Sequence, residues 1–194
     1  MKKKHIKKIV GDNIYLSPIS LDDVEEYTHM VNNNLVSVGL GSPIYTGIYS
    51  EEREQEVLKS LKDSYNFAVR VIENDELLGN IGFYDVDLIN KNGTFGIMLG
   101  NEKYYGKGYG KEAINLILDY GFSLLNFRNI CLNVFEYNEL AYNLYKKVGF
   151  KEVGRIRKRQ EIMGKFYDLI IMDMLSEEFN SYYIRKEIEN RYKF

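Results

Sequence analysis

The sequence of 194 residues holds a single cysteine, Cys131, no tryptophan and only two prolines, Pro18 and Pro43. A lone thiol forms no internal disulfide and supplies no cysteine-based metal cluster, which fits a reducing, cytoplasmic setting. His5 and His29 stand in unrelated contexts, so no metal site is expected. No apolar run approaches the roughly 20 residues that a membrane helix requires. The basic start, Met1-Lys2-Lys3-Lys4-His5-Ile6-Lys7-Lys8, is followed by no apolar stretch of the kind that marks a secretory signal, and it reads as a solvated tail. The formal net charge is −2, too small to draw the chain to nucleic acid. Neither a nucleic-acid nor a membrane partner is expected. With 45% hydrophobic and 28% charged residues, the composition is that of a soluble globular protein long enough to bury a core.

No repeat, low-complexity stretch or proline-rich linker interrupts the chain. Residues 13–17 read as a strand. Ser20 is placed to cap a helix carrying Leu21, Val24, Tyr27, Met30 and Val31 at helical spacing. Residues 35–49 carry Gly39, Gly41, Pro43 and Gly47 and read as a loop. Ser50 caps a second helix, with Glu51 and Glu52 in its positive first turn. Strands follow at 67–72, 77–88 and 94–99, the last after a hairpin signal at Asn92-Gly93. A helix over 110–127 buries Ile114, Ile117, Leu118, Gly121, Phe122 and Leu125, and a strand follows at 130–135. Asn138 caps a helix with the stripe Ala141, Leu144, Tyr145 and Val148, ended by Gly149. Residues 150–162 and 166–175 form a hairpin around Met163-Gly164-Lys165. The organisation is a basic tail over 1–11, one mixed α/β domain over 12–175 and a helical extension over 176–194 with a thin stripe of Phe179, Tyr183, Ile184 and Ile188. That stripe needs a docking surface, on its own domain or, less favoured, in a homodimer.

The densest chemical signal is Tyr105-Gly106-Lys107-Gly108-Tyr109-Gly110-Lys111, a loop that follows a strand and opens a helix. Such a loop exposes backbone N–H groups beside the positive end of a helix, a place for a phosphate or pyrophosphate. A dinucleotide fingerprint is excluded, because the glycines at 106, 108 and 110 do not follow G-x-G-x-x-G. A P-loop is excluded too, because Lys111 is followed by Glu112 instead of serine or threonine. Spacing alone leaves a tight strand-to-helix turn equally open.

On this frame, Tyr105-x-x-Gly108-x-Gly110, the sequence resembles the GCN5-related N-acetyltransferase superfamily, whose acetyl-CoA signature is R/Q-x-x-G-x-G/A. Tyr105 departs from the first position. The run aromatic-Gly-Lys-Gly-Tyr-Gly is similar to the branch that holds ribosomal-protein N-terminal and spermidine N-acetyltransferases. A second block, Asn138-x-x-Ala141-x-x-Leu144-Tyr145-x-x-x-Gly149-Phe150, looks like the family's later helix. The resemblance implies a bent, mostly antiparallel sheet whose fourth strand, 94–99, and fifth, 130–135, splay apart. It implies acetyl-CoA as cosubstrate, its pantetheine arm against Ile97, Met98 and Leu99 and its pyrophosphate on Gly106 to Lys111, with Tyr105 a further cofactor-binding candidate at the head of the loop. The later block adds Asn138, equally an ordinary N-cap, and Ala141. No metal is implied.

The chemistry this implies is direct attack of a neutral primary amine, a peptide N-terminus or a small molecule, on the thioester. Alternatives are a polyamine acetyltransferase and a non-catalytic acyl-CoA-binding module. By resemblance Tyr145 is the acid that protonates the leaving thiolate, although its place in an apolar stripe also suits a core aromatic. The base is not identified. Asp85, Asp87 and Glu161 are candidates, and Glu25, Glu26, Glu51 and Glu52 are candidates to attract a cationic acceptor, although each suits a solvated position. Arg155, Arg157, Lys158 and Arg159 argue mildly against a polycation if they face the cleft. Cys131 reads as a core residue, since no histidine activates it.

Overall fold

The computed structural model describes residues 5–41, 44–180 and 183–192. Met1 to Lys4 of the basic start and Pro43 lie outside the described residues. Eight strands form one sheet: β1 (Ile9–Val10), β2 (Ile14–Pro18), β3 (Asn66–Val71), β4 (Leu77–Asp87), β5 (Asn92–Leu99), β6 (Asn129–Phe135), β7 (Lys151–Ile162) and β8 (Lys165–Leu175), in the order β1-β2-β3-β4-β5-β6-β8-β7. The helices are α1 (Val24–Asn32), α2 (Asn34–Leu40), α3 (Glu51–Leu61), α4 (Tyr109–Asp119), α5 (Glu139–Val148) and α6 (Ile184–Arg191). The chain divides into two compact units. The first comprises the described residues up to Gly82 with Ile97–Ile117, and the second Phe83–Gly96 with the chain from Leu118 onward.

In the first unit β1, β2, β3 and the start of β4 pair antiparallel in sequence order. Nearly every residue of β2 and β3 is buried, so these strands are covered on both faces instead of alternating between core and solvent. Ser20 accepts from the Asp22 N–H at 3.2 Å and opens a short 3-10 turn that runs into α1. Ser50 accepts from the Arg53 N–H at 3.3 Å and caps α3, as its sequence position indicates. Ile19, Tyr27, Met30, Leu58, Ala68 and Leu77 close the core between these helices and the sheet, with Met98 packed against them. A buried ion pair joins Asp23 to Arg70, whose guanidinium also donates to the Asp75 carbonyl at 3.1 Å.

Three expectations change here. The segment 1–11 is not all tail, because Ile9 and Val10 pair with β2 and His5 bonds to Asp75 at 2.9 Å. The segment 35–49 holds α2, capped by Asn33, which accepts from the Leu35 N–H at 2.9 Å. Asn92-Gly93 is already strand. The turn precedes it, where the Asp87 carboxylate accepts from Ile89 N–H at 2.9 Å and Asn90 N–H at 2.8 Å, and Lys91 takes φ 58°. An Asx-type turn thus outcompetes the Asn-Gly signal.

In the second unit β5 and β6 run parallel for only three pairs, Asn92 with Asn129 to Thr94 with Cys131. Beyond them β6 pairs with β8 alone, antiparallel through Phe135 with Leu169. The strands that the sequence numbers fourth and fifth are therefore β5 and β6, and they part as expected. The 110–127 helix is shorter than its pattern suggests. It ends at Asp119 and passes into a π-helical turn, Tyr120–Leu124. A Cβ at Gly121 would stand 2.8 Å from Phe83 and 2.9 Å from Ile130, so only glycine permits this close approach. The C-terminal segment is helical in two pieces, a 3-10 turn at Ser176–Glu178 and α6. Phe122 and Phe179 pack at 5.3 Å, Ile184 is buried, and the fully buried Asp119 accepts from the N–H groups of Tyr183 at 2.8 Å and Ile184 at 2.9 Å. That carboxylate caps the start of α6 and docks the stripe within its own unit.

Candidate active site

The first unit carries the glycine loop. Gly106 and Gly108 adopt φ 74° and 84°, a region that favours glycine, and an added Cβ at either would meet nothing within 4 Å. The glycines are needed for backbone conformation and for open approach, not to avoid another part of the chain. The N–H groups that open α4 carry the partial positive charge of a helix terminus. Lys107 lies 4.8 Å from the centre of the Tyr104 ring, and Tyr104 stacks 5.6 Å from Tyr109. Tyr104 is fixed in turn by donating to Glu76 at 2.6 Å and accepting from Asn74 at 2.8 Å. Tyr105, which replaces the usual Arg or Gln, donates its hydroxyl to the Leu99 carbonyl at 3.0 Å. It therefore ties the start of the loop to the end of β5. Ile97, Met98 and Leu99 are half-buried, and Gly79 on β4 comes so close that a Cβ there would overlap the Met98 carbonyl. An open loop of this shape, aimed at no protein atom, fits a pyrophosphate.

The second unit carries Tyr145, in α5. Asn138 accepts from the Ala141 N–H at 3.2 Å and caps this helix, and Gly149, at φ 122°, ends it. Tyr145 is 8% exposed, set edge-on to Phe95 at 5.9 Å and Phe150 at 6.0 Å. Burial pushes its phenol well above the usual tyrosine range, with the Tyr84 hydroxyl adding to the shift, so it stays protonated at neutral pH. Its hydroxyl makes no hydrogen bond to another described residue. The ring packs as a core aromatic does, and its hydroxyl is unpaired among the described residues.

The acidic candidates separate. Asp87 is committed to its turn, and Asn90, through its backbone and then its side chain, holds its carboxyl below the usual range. Asp85 and Glu161 are exposed, as are Glu25, Glu26, Glu51 and Glu52. Sequence reading passed over Glu54, which is 4% exposed, shows no hydrogen bond or ion pair among the described residues, and has its carboxyl pushed up by burial. Its oxygens are not sealed off, because Arg70 Nε is the single completely enclosed unpaired side-chain polar atom among the described residues. The signal was available in the spacing, since Glu54 lies one turn before Leu58 on the face that packs inward. Arg155 is neutralised by Glu152 at 2.6 Å, while Arg157, Lys158 and Arg159 stand exposed where the β7–β8 register breaks. Cys131 is half-buried instead of in the core, and its thiol donates to the Asn129 side-chain oxygen at 2.9 Å and is pushed up by burial, which suits an unreactive position. Among the described residues, no helix is long and apolar enough to cross a membrane.

Comparison with known proteins agrees with this geometry. The family model "Acetyltransferase (GNAT) domain" matches residues 13–151. An N-acetyltransferase of Bacillus subtilis strain 168, YokL, is 31% identical over 171 residues, 87% of this chain and 93% of that protein. The spermidine N(1)-acetyltransferase of Escherichia coli K12 is 27% identical over 175 residues, 86% of this chain and 88% of that one. The crystal structure of spermidine N-acetyltransferase from Vibrio cholerae in complex with CoA and spermine superposes with a TM-score of 0.75 at 26% identity, over 85% of this chain and 96% of that one. With the family model spanning both sequence blocks and both parted strands, the chain belongs to the GNAT family and is an N-acetyltransferase that transfers an acyl group to an amine.

Proposed function

We propose that the protein transfers acetyl from acetyl-CoA to a cationic primary amine, with polyamines among the acceptors to be tested. The observation that carries the donor half is the open glycine cradle at Gly106 and Gly108, with positive φ and no protein atom above it. Residues 106–111 would hold the pyrophosphate, with Tyr105 at the head of the loop. Ile97 to Leu99 would hold the pantetheine arm, and Asn138 and Ala141 would be further contacts from α5. Acetyl-CoA supplies an activated thioester carbonyl. The chain's own groups do the rest. A backbone N–H of β5 stabilises the developing oxyanion. Tyr145, which carries its proton at neutral pH, donates it to the departing thiolate. The amine, with a free pKa near 10, attacks only after losing a proton. No carboxylate here is assigned that step, and solvent is its simplest recipient.

The acceptor half rests on Glu54. An unpaired carboxylate, nearly buried beside the core tyrosine Tyr27, favours an arriving ammonium. The neutralisation of Arg155 removes one argument against a polycation. The lone thiol supports a cytoplasmic setting, and a homodimer remains to be tested by sedimentation.

The test is acetyl-CoA-dependent thiol release screened across polyamines, peptides, aminoglycosides and amino acids. Turnover concentrated on acceptors bearing more than one cationic amine is the expected result. Thiol release on none of them would overturn the reading, and turnover confined to peptide N-termini would replace its acceptor half.

A further inference from the structure

In the first turn of α4, one residue past the glycine loop, Glu112 turns away from solvent and is 9% exposed. Its Oε1 accepts from the backbone N–H groups of Asn13 at 2.8 Å and Ile14 at 3.2 Å, and its Oε2 accepts from the Asn13 side-chain amide at 3.0 Å. These donors sit at the hairpin turn between β1 and β2, which is closed by the Gly11 N–H to the Ile14 carbonyl at 2.9 Å. A Cβ at Gly11 would stand 2.4 Å from the same Oε1. The turn is thus built around the carboxylate, from residues about a hundred positions away in sequence. Glu112 also donates its own N–H to the Gly108 carbonyl at 3.2 Å.

A glutamate at this point has a second consequence. An anion bound to the loop would be repelled by a free carboxylate one turn into the helix. With three donors facing it, the charge of Glu112 is held by another part of the fold, and the N–H groups of residues 106–111 are left for the ligand.

We propose that Glu112 is a positioning residue that fixes the cofactor loop by anchoring α4 to the β1–β2 turn, so that the N-terminal hairpin contributes to acetyl-CoA affinity without touching it. This rests on the reading that residues 106–111 hold the pyrophosphate.

The test is a cycle of variants followed by calorimetric titration with CoA and by steady-state kinetics. Glu112→Ala should weaken CoA binding by about tenfold, the equivalent of one hydrogen bond to a charged group. It should raise KM for acetyl-CoA while leaving kcat at saturating donor near wild type, a split that general loss of fold would not give. Glu112→Gln should bind CoA nearly as well as wild type, because its carbonyl keeps both backbone donors and a flipped Asn13 amide accepts from its NH₂. Asn13→Asp should weaken binding, since two carboxylates then face each other, and Asn13→Asp with Glu112→Gln should restore it. Unchanged CoA affinity in folded Glu112→Ala, or no rescue in the double variant, would overturn the proposal. Gly108→Val separates the two levels. If it too keeps wild-type CoA affinity, the reading of the loop fails. If it loses CoA while Glu112→Ala does not, only the anchoring role fails.

Discussion

Two helices of the first unit each bury a glutamate in their first turn, and the surroundings treat them in opposite ways. Around Glu112 in α4 the chain supplies three donors, two of them backbone. Around Glu54 in α3 it supplies none among the described residues. The second unit repeats the contrast. Asp119, fully buried, holds two backbone N–H groups and the Ser123 hydroxyl, whereas the Tyr145 hydroxyl, not fully enclosed, has no hydrogen-bond partner among the described residues. The fold thus satisfies Glu112 and Asp119 with its own donors, while the polar atoms of Glu54 and Tyr145 are neither fully enclosed nor paired among the described residues.

The largest effect expected from this contrast is on turnover. Tyr145→Phe should lower kcat by roughly 10²–10⁴-fold, the usual worth of a general acid, with CoA affinity nearly intact. Wild-type turnover on the best acceptor would return Tyr145 to the role of a packed ring. Next come the satisfied carboxylates. Asp119→Ala leaves two backbone donors without their acceptor, a loss of about 2–6 kcal/mol at roughly 1–3 kcal/mol for each buried unsatisfied group. Removing residues 177–194 should lower Tm in the same direction while CoA binding survives in the folded fraction. An unchanged melting temperature in either would mean that α6 adds nothing to the stability of its unit.

Glu54→Gln is expected to act with the opposite sign and more weakly. Because burial raises the folded-state pKa of Glu54, its ionised form opposes folding. The carboxyl's contribution to stability is full below the unfolded pKa and is lost as pH rises through the folded one. The glutamine variant should therefore melt higher at neutral pH, and the gain should vanish as acid protonates Glu54 in the parent. The same variant should raise KM for a cationic acceptor. A higher Tm with unchanged KM would make Glu54 a mere packing defect. The smallest effect concerns Cys131, whose raised thiol should react with iodoacetamide no faster than an ordinary cysteine, and whose alkylation kinetics in the native protein measure this directly.

Much of the fold was legible because it is written locally. Ser50, Asn138 and Gly149 mark helix ends through their own side chains or backbone, and each stands where its chemistry indicates. The glycine loop and the Tyr145 block were legible by resemblance, and Gly106 and Gly108 also by conformation. What the sequence hid is of two kinds, a local contest between turn signals and contacts far along the chain. The hairpin turn at 88–91 is decided by Asp87 over Asn92-Gly93. The 110–127 pattern remains apolar through a π-helical turn, because Gly121 must approach Phe83 and Ile130 closely. Glu112 and Glu54 look alike in sequence as acids in a first helical turn, the kind usually assigned to solvent or to the helix dipole. Only the presence of Asn13 and Ile14 beside one, and the lack of a hydrogen-bond donor to the other among the described residues, tells them apart.

The account turns on whether the unpaired phenol of Tyr145 delivers a proton to the leaving thiol. The most direct measurement is the ratio of wild-type to Tyr145→Phe turnover across acetyl thioesters whose thiols differ in acidity, with one fixed amine acceptor. If Tyr145 is the acid, the ratio falls steadily as the thiol becomes more acidic, because that thiolate needs less protonation. A ratio that stays constant across the series would contradict the account.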